Sequence, residues 1–228
     1  MSRLTYEFDG TIATITLDDG KVNALGPDMQ QEINDALDKA EADNAVVILT
    51  GNQKALSAGF DLKVISTPGP APTDILRSGF ELSMRLLSFP RPVVIASSGH
   101  AMAMGFFLLL SGDYRIGIDA PVKLVPNEVA IGMPMPWAAI EVTRHRLTKN
   151  ATQRMLDLAE AISPAEAVAA GVLDLVVAPD QLMNAAREAA TRFAALDANA
   201  HKITKERVRG NMLKAIREAT DAEFPAQP

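Results

Sequence analysis

The chain has 228 residues, 48% of them hydrophobic and 22% charged, a composition that suits one large domain with a sizeable core and excludes extended disorder, a minimal binding module and a multidomain assembly. Cysteine is absent, which excludes disulfides, thiolate metal sites and a cysteine nucleophile. A formal net charge of -6 leaves no basic excess to neutralise a phosphate backbone, and so argues against a nucleic-acid partner.

The first ten residues carry Arg3, Glu7 and Asp9 in place of a basic segment followed by an apolar one, unlike a secretory leader. The longest apolar run, Ala101 to Leu110, is far short of the roughly 20 residues that a membrane-spanning helix needs. The expectation is a soluble, cytoplasmic protein with no membrane partner.

Leu4 to Phe8 and Thr11 to Leu17 alternate apolar with small or polar residues around Asp9-Gly10, which predicts two antiparallel strands joined by a tight turn. An irregular loop follows to Gly26. From Pro27 the apolar residues Met29, Ile33, Leu37 and Ala40 recur at helical spacing, with proline where a helix's first turn tolerates it. Ala45 to Thr50 is a continuous apolar run, predicting a strand buried on both faces. Gly51 to Gly59 reads as a loop, and Thr67 to Pro72 (TPGPAP) as a mobile surface loop. Pro92 to Ala96 predicts a second buried strand, Met104 to Leu110 a helix, and Asp113 to Ile118 and Val122 to Val125 two further strands. From Pro136 the alanine-rich remainder predicts helices, interrupted by a strand within Gly171 to Val177. Strands alternating with helices argue for the α/β class with some parallel pairing.

Two corners share one form, a strand leading through small residues into a helix: Leu56 to Asp61 (LSAGFD) and Gly99 to Gly105 (GHAMAMG). Such corners leave backbone N–H groups without internal acceptors, and two of them aimed at one point would make an oxyanion hole. Each alone is a common structural device.

LSAGFD resembles the signature of the crotonase (enoyl-CoA hydratase/isomerase) family. VNAL at Val22 to Leu25, PVVIASSGHAMAMG from Pro92, GDYRIG from Gly112, PNEVAIGMP from Pro126 and ISPAEAVAAGVLDLVV from Ile162 resemble further segments of that family in order and spacing, from Arg3 to about Ala215. The resemblance implies an α/β, crotonase-like spiral of ββα units. The expected division is a spiral core over residues 1–195 and a C-terminal helical segment over 196–228. It also implies an acyl-CoA thioester as substrate partner, with no cofactor beyond the CoA it carries, and assembly as a homotrimer or dimer of trimers. Carried over by position, the amides of Phe60 and Met104 would hold the thioester oxygen. Ser57, Ala58 and Asp61 would lie along the CoA, with Val22 and Ala24 nearby.

Two departures bear on activity. The family's hydratases have a glycine triplet where this chain has Ala103-Met104-Gly105, so the backbone there must accept non-glycine residues. Those hydratases also use two glutamates; the first position is Phe107 here, and the second is Glu128. Hydration needs a water to be activated while a proton is delivered, which suits two carboxylates, whereas moving a double bond needs one base that takes a proton from C2 and returns it to C4. Asn127-Glu128 is also similar to the pair in the family's Δ3,Δ2-enoyl-CoA isomerases. Isomerisation is the favoured activity. A hydratase of low efficiency and a catalytically silent acyl-CoA binding subunit are the alternatives.

Trp137, with Met133, Met135 and Phe106, is a candidate for the acyl pocket or for core packing. Lys202, Lys205, Arg207 and Arg209 are candidates for CoA phosphate contacts or a solvated helix face. Asp113 is expected to satisfy backbone amides, and the three histidines, His100, His145 and His201, show no metal-binding spacing. The resemblance ends before the C-terminal helix that often covers the acyl site, so that cover is expected to be missing or supplied by a neighbouring subunit.

Overall fold

The computed structural model describes residues 2–226. Met1 and the last two residues of the 196–228 segment lie outside the described residues.

The opening hairpin forms as its alternation predicts. β1 (Leu4–Phe8) and β2 (Ile12–Leu17) pair antiparallel, with Leu4 opposite Leu17 and Phe8 opposite Ala13. The Asp9 carboxylate accepts from the Thr11 and Ile12 amides and holds the turn. β3 (Val46–Thr50), β5 (Val93–Ser97), β7 (Tyr114–Ile118) and β9 (Leu175–Val177) extend the sheet in parallel, giving the order β1-β2-β3-β5-β7-β9. The uninterrupted apolar runs are explained by layers on both faces. Val47 and Leu49 face one core together with Ile33 and Leu37 of α1 (Pro27–Ala42), while Val46 and Ile48 face another with Ala186, Ala189 and Ala190 of α8 (Leu182–Ala194).

A second, three-stranded parallel sheet is built from β4 (Ala55–Ser57), β6 (His100–Met102) and β8 (Leu124–Val125). Each of its strands is too short for alternation to show, which is why Gly51 to Gly59 reads as a plain loop in the sequence. β4 leads into the single turn α2 (Leu62–Ile65), and β6 into α4 (Met104–Leu110), a helix buried along its whole length.

The stretch Thr67 to Pro72, expected as a surface loop, ends inside a helix. α3 (Ala71–Ser88) begins with Pro72 in its first turn, where the absent N–H costs no hydrogen bond, and it buries Ile75, Phe80, Leu82 and Leu87. α5 (Trp137–Arg144), α6 (Lys149–Thr152) with a π turn after it (Gln153–Asp157), and α7 (Pro164–Ala170) complete the middle of the chain.

The C-terminal residues form a long helix. α9 (Ala198–Glu223) runs for 26 residues across α3 and α5 of the same chain, and the ring of Phe224 at its end stacks on Phe80 at 6.1 Å. Among the described residues no helix is long and apolar enough to cross a membrane.

Lys205 and Arg209 lie on the inner face of α9, not on a solvated one. They meet Asp113 at 2.7 Å each, and Lys205 also donates to the carbonyl of Phe89. They are therefore not placed to touch CoA, while Lys202 and Arg207 are exposed. Asp113 accepts from the Val93 amide at 2.7 Å, as its position before β7 suggested.

Candidate active site

A cavity of about 510 Å³ opens between the two corners and the segment after β8. It brings together Val22, Ala24, Ala58, Phe60, Asp61, Phe107 and Glu128 from four separate stretches of chain.

Its mouth is held by a network centred on Asn23. This residue adopts a left-handed conformation (φ 55) and is fully buried, donating through Nδ2 to the carbonyls of Leu17, Ala55 and Leu56. Asparagine tolerates that backbone better than other non-glycine residues, and its amide satisfies carbonyls at the strand ends. The loop is thereby folded so that Val22 and Ala24 face the cavity. Ser57, expected along the CoA, does not line the cavity. It is fully buried, its hydroxyl donates to the Asn23 carbonyl at 2.7 Å and accepts from the Gly59 amide at 3.1 Å, so it braces the two loops together. Asp61 does line the cavity, and its carboxylate also caps α2 by accepting from the Lys63 amide.

The corners pack on each other closely enough to demand glycine. Gly59 has φ +98, and a methyl group on it would lie 2.8 Å from Ala103 Cβ and 3.3 Å from the Met104 nitrogen. One on Gly105 would lie 2.2 Å from the Ser57 carbonyl oxygen. These contacts set the Met104 nitrogen against Gly59, next to cavity-lining Phe60, and among the described residues neither the Phe60 nor the Met104 amide donates to a protein acceptor. The Phe60 amide belongs to the loop before α2, not to a helical turn as the corner reading implied; Met104 opens α4. The Met104 side chain is buried in the core and does not obstruct the cavity.

The glycine-triplet departure acts at a different residue from the one that stands out in the sequence. Met104 is an ordinary first helical residue, whereas Ala103 carries φ 48 and ψ -128, a conformation that favours glycine. Ala103→Gly is expected to stabilise the protein by about 1 kcal/mol, because the strain removed exceeds the added chain entropy. The thermal midpoint of the variant against the parent checks this, a drop being the contrary result.

Glu128 lines the same cavity. It follows β8 at the start of a tight turn (Val129–Ile131), and its own carbonyl accepts from the Ile131 and Met133 amides. The side chain lines the cavity, the residue is only 8% exposed, and Oε2 is buried without a hydrogen-bond partner. Burial in these apolar surroundings pushes the carboxyl up to about 7. The neighbouring Asn127 also lines the cavity, with Oδ1 buried and unpartnered. A carboxyl group that titrates near neutrality beside two free amides is fitted to take and return a proton.

Among the described residues no second carboxylate stands at the position of Phe107. Phe107 is buried and lies between the rings of Phe106 and Phe80, at 5.8 and 6.3 Å. Asp61, the other acidic residue lining the cavity, is engaged as a cap. Trp137 does not join the site: it is 64% exposed and absent from the lining, and its backbone amide donates to Glu223. Of its companions Met133 lines the cavity, while Phe106 and Met135 belong to the core.

Several lining residues were not legible in the sequence. Leu76 and Phe80 sit on the unpredicted α3, and Met102 and Ala103 are carried by the second corner. The signal for α3 was its apolar spacing after Pro72. His100 accepts from the Lys123 amide as a packing residue, and among the described residues no group of histidine and acidic side chains could hold a metal ion.

Comparison with known proteins agrees with this geometry. Residues 7–226 match the enoyl-CoA hydratase/isomerase family. The fold superposes with a TM-score of 0.94 on an enoyl-CoA hydratase from Mycobacterium ulcerans, at 48% identity over 97% of each chain. A Mycobacterium tuberculosis protein, described as an enoyl-CoA isomerase in one structure and as a probable enoyl-CoA hydratase in another, gives in the first a TM-score of 0.93 at 46% identity, over 97% of this chain and 99% of that one. The mouse mitochondrial enoyl-CoA delta isomerase 1 is 31% identical over 97% of this chain and 80% of its own length. Taken with the two facing corners and the buried glutamate, these matches place the chain in the enoyl-CoA hydratase/isomerase family, a family of enzymes acting on acyl-CoA thioesters.

Proposed function

We propose that this enzyme moves the double bond of a 3-enoyl-CoA to the 2 position, with Glu128 as its sole proton carrier. The observation that carries this reading is the single unpaired, buried carboxyl group in a cavity that the apolar ring of Phe107 also lines.

The thioester oxygen accepts from the Phe60 and Met104 amides. Ionised Glu128 takes a proton from C2, and the electron pair spreads over the thioester and the C3–C4 double bond as a dienolate. The developing oxyanion is stabilised by donors already in place, which is where such donors lower a barrier most. Glu128 then returns its proton to C4, leaving the double bond between C2 and C3. No atom enters or leaves, and one carboxyl group is enough.

Hydration of the product would require a water held at C3 and activated while C2 is protonated. Phe107 offers neither a base nor a hydrogen bond for that water. The direct test is the ratio of two rates on the wild-type enzyme: isomerisation of a 3-enoyl-CoA and hydration of crotonyl-CoA. Isomerisation is expected to be at least 100-fold faster, the scale of one general acid–base contribution. Comparable rates, or faster hydration, would sink the proposal.

A further inference from the structure

The wall of the cavity continues beyond the residues that touch it. Leu76 and Phe80 of α3, one helical turn apart, and Phe107 of α4 are among the residues that line it. The Phe80 ring lies 6.3 Å from that of Phe107 and, on its other side, stacks on Phe224 at 6.1 Å with the planes within 6°. Phe224 does not line the cavity; it backs the ring that does.

That backing is tied down at several points. The Phe224 amide donates to the Thr220 carbonyl at 2.8 Å, and its carbonyl accepts from Arg77 at 2.9 Å. Arg77 also pairs with Asp221 at 2.7 Å, while Glu223 accepts from the Trp137 amide at 2.8 Å. Arg77 and Phe80 both belong to α3, so the helix that lines the cavity also holds the C-terminal segment against it. A ring clamped in this way cannot yield without breaking a stack and an ion pair.

We infer that Phe80, held in place by Phe224, sets the length of acyl chain that the enzyme accepts. Phe80 is the specificity-determining contact and Phe224 its positioning residue. The inference rests on the reading of this cavity as the acyl-CoA site. A chain that reaches Phe80 stops there, and further methylenes find no apolar surface to bury. Removing either ring deepens the cavity, and each methylene that gains room is worth about fourfold in affinity.

Equilibrium binding of hexanoyl-CoA and dodecanoyl-CoA to the full chain tests this. These saturated thioesters have no double bond to move, so the isomerase assignment can fail without altering the result. The wild type is expected to bind dodecanoyl-CoA no more than threefold better than hexanoyl-CoA. Phe80→Ala is expected to raise the dodecanoyl preference at least tenfold. Phe224→Ala should raise it by a smaller factor, and the double variant should go no further than Phe80→Ala, since Phe224 acts through Phe80. Phe80→Leu and Phe224→Leu, with smaller shifts in the same direction, replace the alanine variants if circular dichroism shows those to be unfolded. An unchanged preference in either folded variant overturns the inference, as does a wild type that already favours dodecanoyl-CoA tenfold. Failure of the wild type to bind either thioester overturns the reading of the cavity and this inference with it.

Discussion

Glu128→Gln is expected to lower kcat for the 3-enoyl to 2-enoyl conversion by about 10²- to 10⁴-fold, the usual worth of a general acid–base, while thioester affinity stays within a few fold. The amide cannot accept the C2 proton, but it keeps the shape of a side chain that lines the cavity. In the free wild-type enzyme the group is held up to about 7 by burial. Because the base must be ionised, kcat/KM is expected to rise tenfold per pH unit below about 7 and to level off above it. An activity that falls as pH rises through this range would assign the carboxyl an acid's role. The same burial predicts a gain in stability for the variant. The folded value of about 7 lies above the ordinary 4.5, so the native state holds this proton more tightly than the unfolded chain does. The stabilising effect of that tighter binding is complete below pH 4.5 and is lost as pH rises to about 7. Above that, the ionised carboxyl costs about 3 kcal/mol relative to acid conditions. Glutamine is neutral throughout, so Glu128→Gln is expected to be the more stable protein at pH 8, with its advantage shrinking toward pH 4.5. Denaturant midpoints for both proteins at the two pH values check this. Loss of activity with loss of stability at both would point to damaged packing instead.

Asp113→Ala is expected to cost about 3–5 kcal/mol of folding stability, the largest effect of any substitution outside the cavity. Its carboxylate meets Lys205 and Arg209 at 2.7 Å and accepts from the Val93 amide. The Lys205 side chain is only 5% exposed, and burial pushes its ammonium down to about 8, against the pull of Asp113. Lys205, Arg209 and Arg146 donate to the carbonyls of Phe89, Leu87, Leu110 and Gly112, at and just beyond the ends of α3 and α4. With Asp113 gone, Lys205 and Arg209 would lose the carboxylate that both of them meet. The pairing of Asp113→Asn with Lys205→Met is expected to lose less than the two single changes added together, because the double change removes the Lys205 cation along with its partner. Urea midpoints of the four proteins give the coupling, and strict additivity would be the contrary result. The same cluster anchors the middle of α9 whose end positions Phe224, so structural loss here should also blunt chain-length discrimination.

The long buried strands were legible residue by residue. Val46 to Thr50 and Val93 to Ser97 are continuous apolar runs because two cores cover the sheet, and α1 follows the stripe Met29, Ile33, Leu37. Of the second sheet only β8 was legible, within Val122 to Val125; β4 and β6 were not, because strands of three residues carry no periodic signal. Helix α3 was hidden behind TPGPAP, whose prolines suit a loop and a helix start equally. At the site, the two corners and Glu128 were identifiable as motifs. The buried bracing role of Ser57, the exposed position of Trp137, and the strain at Ala103 in place of Met104 were not, since each depends on what packs opposite.

Composition and local pattern determined that the chain is one α/β domain without cysteine chemistry, and motif order identified the residues to watch. Whether Glu128 is an exposed carboxylate or a buried one held up to about 7 was decided by tertiary structure alone. Its ionisation depends on the dielectric around it, and that is made by Phe60, Phe80, Phe107 and Ile131, which come from four distant parts of the chain. Length read beside the family resemblance suggested a missing cover for the acyl site. Only the tertiary structure showed where the C-terminal residues go, with α9 running back across α3 and α5 to seat Phe224 on Phe80 without lining the cavity, because helix docking is set by long-range packing that no local pattern encodes.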